Sequence, residues 1–490
     1  MNGNRLPVSI GLSAWLILLI SSFSYSQPKS ASKSIDAFLR KQMQERRITG
    51  LQLAVVQGGK IVLLNSYGLA NVQDSLPVTN RSIFPIYSCT KAFTGVAIMQ
   101  LVEEGKVDLA APVSRYLEGL PESWRPVTIR QLLTHVSGLP DINRILNPST
   151  YGLQGVGSEE AAWAKVQTMP MDFPTGEQFA YNQTNYVLLG KMIDKFSGRP
   201  FTQVYQERQF DVVGMPGTVF GDSRDVIPNK VQSYRYVTRL DGKAYDSEKL
   251  ITSYGEHPPF KRAASGLNST AEDIAHWVIA LQQGKLLKTK SALTTLWTAG
   301  NYKNGNPTQW ALGWVTKPRP SHSAVMITGG SVSAIFVYPE DDLAIIALTN
   351  LSGSYPEEFI DELAGFFKPE IPLADPLTAL RMQLQQRGYA QALAIGDELK
   401  RKEKNSWPTE NDLNDWGYRM MNGMGQVKEA LEVFRLIVSL YPKSWNAYDS
   451  LGEALLKNGR KDEAISMYRK SVELNPDNQN GKNVLERMLK

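Results

Sequence analysis

The nine residues Lys368-Pro-Glu-Ile-Pro-Leu-Ala-Asp-Pro376 divide the chain into two parts with different textures. Three prolines in nine positions interrupt a helix or a central strand, because proline lacks the N–H that both require. Upstream, apolar residues alternate as in strands and also recur at helical spacing. Downstream, strand signals vanish and helical periodicity runs on to Lys490. A chain of 490 residues has room for two to three domains. The downstream part also repeats itself. At an offset of 34, Gly425 aligns with Gly459, Ala430 with Ala464, Phe434 with Tyr468 and Pro442 with Pro476. Trp416-Gly417-Tyr418 answers Leu451-Gly452 at an offset of 35, so the first helix of the earlier repeat carries one extra residue.

Upstream, Leu51–Val56, the pair Gly58-Gly59, and Lys60–Asn65 read as a hairpin, the glycines supplying the positive φ of a tight turn. Ala311–Val315, Ala324–Thr328, Ala334–Tyr338 and Leu343–Leu348 read as further strands. Phe93, Val96, Ala97 and Leu101 fall on one face of a helix that begins near Ser88. Strands at both ends with helices between predict an α/β (α+β) domain over 36–367. Its antiparallel sheet is built from both termini, with a helical region inserted. Residues 368–376 read as a linker between separable domains, and 377–490 as an all-α repeat domain in which Gly388–Lys404 is half of a worn third repeat.

Arg5, the apolar run Val8–Ile20 and the small residues of Ser24-Tyr25-Ser26 have the form of a signal peptide over 1–26, cleaved near Gln27. The run is shorter than the roughly 20 residues a membrane span needs. Residues 27–35 read as a polar tether. The expectation is an exported protein, periplasmic or secreted, without stable membrane insertion.

Composition narrows the chemistry. A net charge of +5, from 53 basic and 48 acidic residues, is too weak for a dedicated nucleic-acid binder. Cys89 is the one cysteine, which excludes an internal disulfide, a Cys₄ zinc site and an iron–sulfur cluster, and four histidines make a histidine-rich metal site improbable. Hydroxyls, amines and carboxylates must carry the chemistry, and no metal or organic cofactor is expected. Ser88-Cys89-Thr90-Lys91 is such a set. Three residues apart on a helix, Ser88 and Lys91 lie one turn apart on one face. A serine hydroxyl is a weak nucleophile until a base adjoins it, and a lysine becomes that base when burial lowers its pKa. The spacing alone is a weak signal. It also fits a plain helix cap, and it recurs at Ser30–Lys33 in the tether.

The context of Ser88 is more specific. Ser88-x-x-Lys91 followed by Phe93-Thr94-Gly95 resembles the nucleophile helix of the serine β-lactamase and penicillin-binding-protein-like family, nearest its class C branch. Four later stretches resemble that family in the same order: Leu132–Pro140, Pro174–Tyr186 with Tyr181-Asn182-Gln183, Ser265–Asp273, and Ile327-Thr328-Gly329-Gly330. The resemblance covers about residues 36–366, and the downstream repeats resemble tetratricopeptide repeats.

The resemblance implies an exported serine hydrolase that forms a Ser88 acyl-enzyme. Lys91 would be its proton partner, and Tyr181 its general base with a phenol pKa lowered by the lysine. The N–H groups of Ser88 and Gly330 would form the oxyanion hole, with Gln183, Thr328 and Gly329 lining the substrate site. Gln183 stands where the family carries asparagine, which puts its contact with Lys91 in doubt. Ile327 replaces a lysine or histidine that binds substrate carboxylates, and would add apolar surface beside the cleft. Arg262, His322 and Lys317 are the candidates for a replacement charge. These departures favour an ester, amide or peptide substrate over efficient β-lactam hydrolysis, with a protein or peptide partner on the repeats. The rival reading is a degenerate penicillin-binding-like protein that binds a ligand without turnover. His135 reads as a turn residue, Tyr302-Lys303-Asn304 as a turn, and Cys89 as a buried packing residue.

Overall fold

The computed structural model describes residues 29–240, 243–402 and 407–489. The signal peptide expected over 1–26 lies outside them. Gly58 and Gly59 turn the first hairpin at φ +61° and +64°, the left-handed pair a two-residue turn needs. The turn sets Gln57 opposite Lys60 and joins β1 (Gly50–Gln57) to β2 (Lys60–Asn71). With β3 (Leu76–Pro77), β4 (Val315–Lys317), β5 (Ala324–Gly329), β6 (Ser333–Tyr338) and β7 (Leu343–Thr349) they form a seven-stranded sheet, ordered β3-β2-β1-β7-β6-β5-β4. Every pairing is antiparallel, and β1 against β7 brings the two ends of the domain together.

Both faces of the sheet are covered. Along β7, Leu343, Ile345 and Ala347 face one hydrophobic cluster, while Ala344, Ile346 and Leu348 face another. That explains a strand written as an unbroken apolar run. The helices that cover it include α1 (Lys29–Glu45), α2 (Thr90–Glu103), α3 (Gln183–Ser197), α4 (Ala271–Gln282) and α5 (Glu357–Ala364). Ile35 and Leu39 of α1 and Phe359, Ile360 and Leu363 of α5 pack on one face; α2, α3 and α4 contribute to the other.

Four expectations change here. The tether is helical from Lys29, and Ile35 is fully buried, because its polar residues run directly into the apolar i, i+4 pair Ile35 and Leu39. Helix α2 is buried from Thr90 to Met99 on all sides, not on one face. Ala311–Trp314 is a buried loop, not a strand, for Gly313 sits at φ +88° and strand β4 starts only at Val315. The proline segment is folded as well. Pro372 lies in the first turn of a short helix, Ile371–Ala374, and Pro376 opens α6 (Pro376–Arg387), where a missing N–H costs nothing. Ile371 is fully buried.

Beyond α6 come α7 (Ala392–Lys402), α8 (Glu410–Tyr418), α9 (Val427–Leu440), α10 (Trp445–Lys457), α11 (Lys461–Leu474) and α12 (Gln479–Leu489). Leu384, Trp416, Phe434, Leu451 and Tyr468 form their common core. The extra residue of the earlier repeat has a structural counterpart. Helix α8 continues into a π-helical turn, Arg419–Gly423, which takes up one more residue than an α-turn.

The two parts are joined by buried charges. Glu358, 5% exposed, accepts from Arg46 Nη1 at 2.8 Å and from Arg419 Nη1 at 3.0 Å, and its carbonyl accepts from Arg381 Nη2. Asp375, in the proline segment, pairs with Lys317 at 3.2 Å and Arg319 at 3.4 Å. A linker between separable domains does not describe this contact.

Candidate active site

Ser88 lies in a single 3₁₀ turn, Tyr87–Cys89, that leads into α2. Tyr87 is held at φ +44°, and no side-chain cap is made at the start of α2, so the plain-cap reading of Ser88 fails. Its hydroxyl is turned toward Lys91 and Tyr181 instead. Lys91 is fully buried, and its Nζ lies 3.3 Å from Ser88 Oγ, 2.9 Å from Gln183 Oε1 and 2.9 Å from the Ala264 carbonyl. All three partners are neutral oxygens. Burial therefore dominates and holds the amine well below its ordinary pKa, with Lys261 adding repulsion and Asp141 opposing. Loss of its proton would leave a lone pair on Lys91 facing Ser88 Oγ.

The Tyr181 hydroxyl donates to Ser88 Oγ at 2.6 Å. Although 37% of the residue is exposed, desolvation of its hydroxyl raises the phenol pKa. This reverses the expected direction: desolvation outweighs the hydrogen bonds with Ser88 and Gln183 that would favour a phenolate. Gln183 keeps the contact with Lys91 that its extra methylene put in doubt.

The segment 132–140 holds Tyr181 in place from below. His135, at φ +60° and fully buried, accepts the Asn182 N–H on Nδ1 at 3.1 Å, and its carbonyl accepts from Ala180 N at 3.0 Å. Its ring lies 4.6 Å from that of Tyr181. Burial lowers its pKa well below the usual range, so it is neutral, and it braces Tyr181 without bonding to Ser88. Asn182 caps α3 by accepting from Asn185 N, which fixes the start of that helix beside Gln183.

On the opposite wall, β5 ends against the serine turn. A Cβ on Gly329 would lie 2.0 Å from the Ile86 carbonyl, and one on Gly330, at φ +57°, 2.7 Å from the Tyr87 ring. Only glycines allow that approach, which sets the Gly330 backbone beside the turn holding Ser88. Thr328, half-buried and paired with Ala334, is not among the residues bonded to Ser88. Ile327 is 1% exposed and packs in the central cluster, so, contrary to expectation, it adds no apolar surface to the cleft. Cys89 is buried beside Ser333, and desolvation pushes its thiol up to about 12.

The replacement charges are engaged elsewhere: Arg262 with Asp225, His322 with Asp341, and Lys317 with Asp361. The sequence reading missed Lys261, which is 3% exposed, bonds Asn143 Oδ1 at 3.2 Å and has its pKa lowered to about 8 by burial. It also missed the Ala264 carbonyl, since a backbone acceptor leaves no trace in residue type. No group of metal-binding side chains occurs among the described residues.

Comparison with known proteins agrees with this geometry. The family model Beta-lactamase matches residues 35–366, more than half of the chain. The chain belongs to the beta-lactamase family. A tetratricopeptide-repeat model matches residues 445–478, which span α10 and α11. Protein flp of Staphylococcus aureus (strain MW2) is 26% identical over 355 residues, 68% of this chain and 66% of that protein's length, just under two thirds of it. The octameric penicillin-binding protein homologue from Pyrococcus abyssi is 25% identical, with a TM-score of 0.59 over 72% of this chain and 81% of that one. The D-amino acid amidase from Ochrobactrum anthropi SV3, 23% identical, shares the fold with a TM-score of 0.58 over 69% of this chain and 99% of that one. The family is one of serine hydrolases.

Proposed function

We propose that the protein hydrolyses an ester, amide or peptide through a Ser88 acyl-enzyme. One observation carries the reading: the buried Lys91 amine, 3.3 Å from Ser88 Oγ, has only neutral oxygens as partners. Neutral Lys91 takes the Ser88 proton as Oγ attacks the substrate carbonyl. The N–H groups of Ser88 and Gly330 hold the oxyanion, a contribution of about 2.7–4 kcal/mol per donor. As the tetrahedral adduct collapses, the C–O or C–N bond breaks and Tyr181 passes a proton to the leaving group. Lys91 then restores the proton of Tyr181. Water next attacks the acyl-enzyme and Ser88 recovers its proton. Tyr181 thus acts as donor and relay, since its raised pKa opposes a resting phenolate.

The substrate class follows from charge. Ile327 is buried, and Arg262, His322 and Lys317 are paired elsewhere, which favours acyl donors without an essential carboxylate. Amino-acid amides are a suitable first series, given the fold shared with the D-amino acid amidase. The apolar leader of the sequence supports export, and the tetratricopeptide repeat supports a protein or peptide partner. Among the described residues no helix is long and apolar enough to cross a membrane.

The test is intact-mass analysis after treatment with a fluorophosphonate and, separately, with a penicillin. The fluorophosphonate adds the mass of one phosphonyl group at Ser88, and the penicillin adduct is absent or slow. Equal, rapid acylation by penicillin would overturn the substrate class; no label on the folded protein would favour the ligand-binding reading.

A further inference from the structure

The turn after β5 is held by contacts that reach into the repeat domain. Gly330 at φ +57° is followed by Ser331 at φ +59°, and a third left-handed residue, Tyr355 at φ +47°, lies against them. For Ser331 and Tyr355 that conformation costs about 1–2 kcal/mol each, so it persists only where the surroundings enforce it. The Ser331 carbonyl accepts from Tyr355 N at 3.1 Å and from Ser354 Oγ at 2.9 Å. The Gly330 turn therefore hangs on residues 354 and 355.

Those residues are gripped from the other domain. The guanidinium of Arg419 lies 4.4 Å from the centre of the Tyr355 ring, and its Nη1 donates to Glu358 Oε1 at 3.0 Å. The other oxygen of Glu358 takes Arg46, which also reaches the Ser354 carbonyl at 3.3 Å. Arg419 opens the π-turn, and the last residue of that turn, Gly423, accepts from Arg47 with its carbonyl. The interruption of the repeat period thus coincides with a contact to the catalytic domain.

The geometry points to Arg419 as a positioning residue for the oxyanion site, acting through Tyr355 and Ser331 on the Gly330 backbone. The inference rests on the Ser88 acyl-enzyme reading. It makes the repeat domain part of the catalytic unit, so that a partner seated on the repeats can alter turnover through this contact.

The full chain carrying Arg419→Ala is compared with wild type on a matched oxo-ester and thiono-ester, since sulfur is a poor acceptor in an oxyanion hole. Glu358 keeps Arg46 on its carboxylate in this variant, so its charge stays paired. On the oxo-ester we expect kcat to fall by about fivefold or more with KM within about twofold, and the loss on the thiono-ester to be smaller, as for a misplaced donor. Arg419→Lys, which keeps a cation over Tyr355 and beside Glu358, recovers most of the rate. Tyr355→Asn tolerates the positive φ but lacks the ring; it reproduces the loss, and the double variant is no worse than either single one. Wild-type kcat in Arg419→Ala, or equal losses on both esters, would overturn the inference while leaving fluorophosphonate labelling of Ser88 intact. Failure of wild type to label would overturn the acyl-enzyme reading and this inference with it.

Discussion

At the residue scale, the site depends on what surrounds Lys91. Its pKa is lowered by burial before any other cause, so the charged form is the disfavoured one in the fold. The rate of acylation should rise with pH through this lowered pKa and level off well below pH 10.5, the amine's ordinary value. Lys91→Arg puts a permanent cation there that cannot lose its proton, and the loss expected is about 10²–10⁴-fold, the usual range for a missing acid–base group. A Lys91→Arg protein within threefold of wild type would assign the base elsewhere. Tyr181→Phe, measured as the oxo-ester rate, should lose a similar factor. The Ser88–Lys91 spacing offers a candidate pair, while Tyr181 and Gln183 were legible only through the resemblance of Pro174–Tyr186 to the family's segment. The direction of the Tyr181 shift was not legible, because it depends on how far the fold desolvates its hydroxyl.

At the element scale, the hairpin turn, strands β5 to β7 and helix α2 were legible because their cause is local: paired glycines, an unbroken apolar run, a helical period. Ala311–Trp314 was misread for the converse reason. Its apolar residues are buried by packing against other elements, as Leu312 is in the cluster that also holds Leu296, and a short apolar run does not distinguish strand from buried loop. The start of α5 carries a pH effect that only the fold reveals. Burial, then repulsion from Glu358, pushes the Glu357 carboxyl up from 4.5 to about 7. The fold thus favours its protonated form. That contribution is complete below the ordinary value and is lost as pH rises toward the folded one. The melting temperature of wild type should therefore drop between about pH 5 and pH 8 relative to that of Glu357→Gln, followed by thermal melts in matched buffers. A gap that closes as pH rises would contradict the assignment.

At the scale of the whole molecule, the division into a mixed domain and a helical one was legible, but the relation between them was not. Proline marks a break in regular structure, and it equally opens helices; only the burial of Ile371 and the pairing of Asp375 decide between these readings. A chain ended at Lys368 loses Ile371 from the α1–α5 cluster and strips Glu358 of Arg381 and Arg419. Removing one partner of a buried charge is costly. We expect this truncated chain to melt several degrees below the full one and to turn over a small ester more slowly. Equal melting and equal turnover would show that the two parts are independent after all.

The central claim is that the bond formed during turnover is to Ser88. It is tested by rapid quenching during hydrolysis of an activated ester, followed by mass analysis of the peptide containing Ser88. An acyl group on Ser88 should accumulate before steady state, appear more slowly in Tyr181→Phe, and be absent together with turnover in Ser88→Ala. Undiminished ester turnover by a folded Ser88→Ala protein would contradict it.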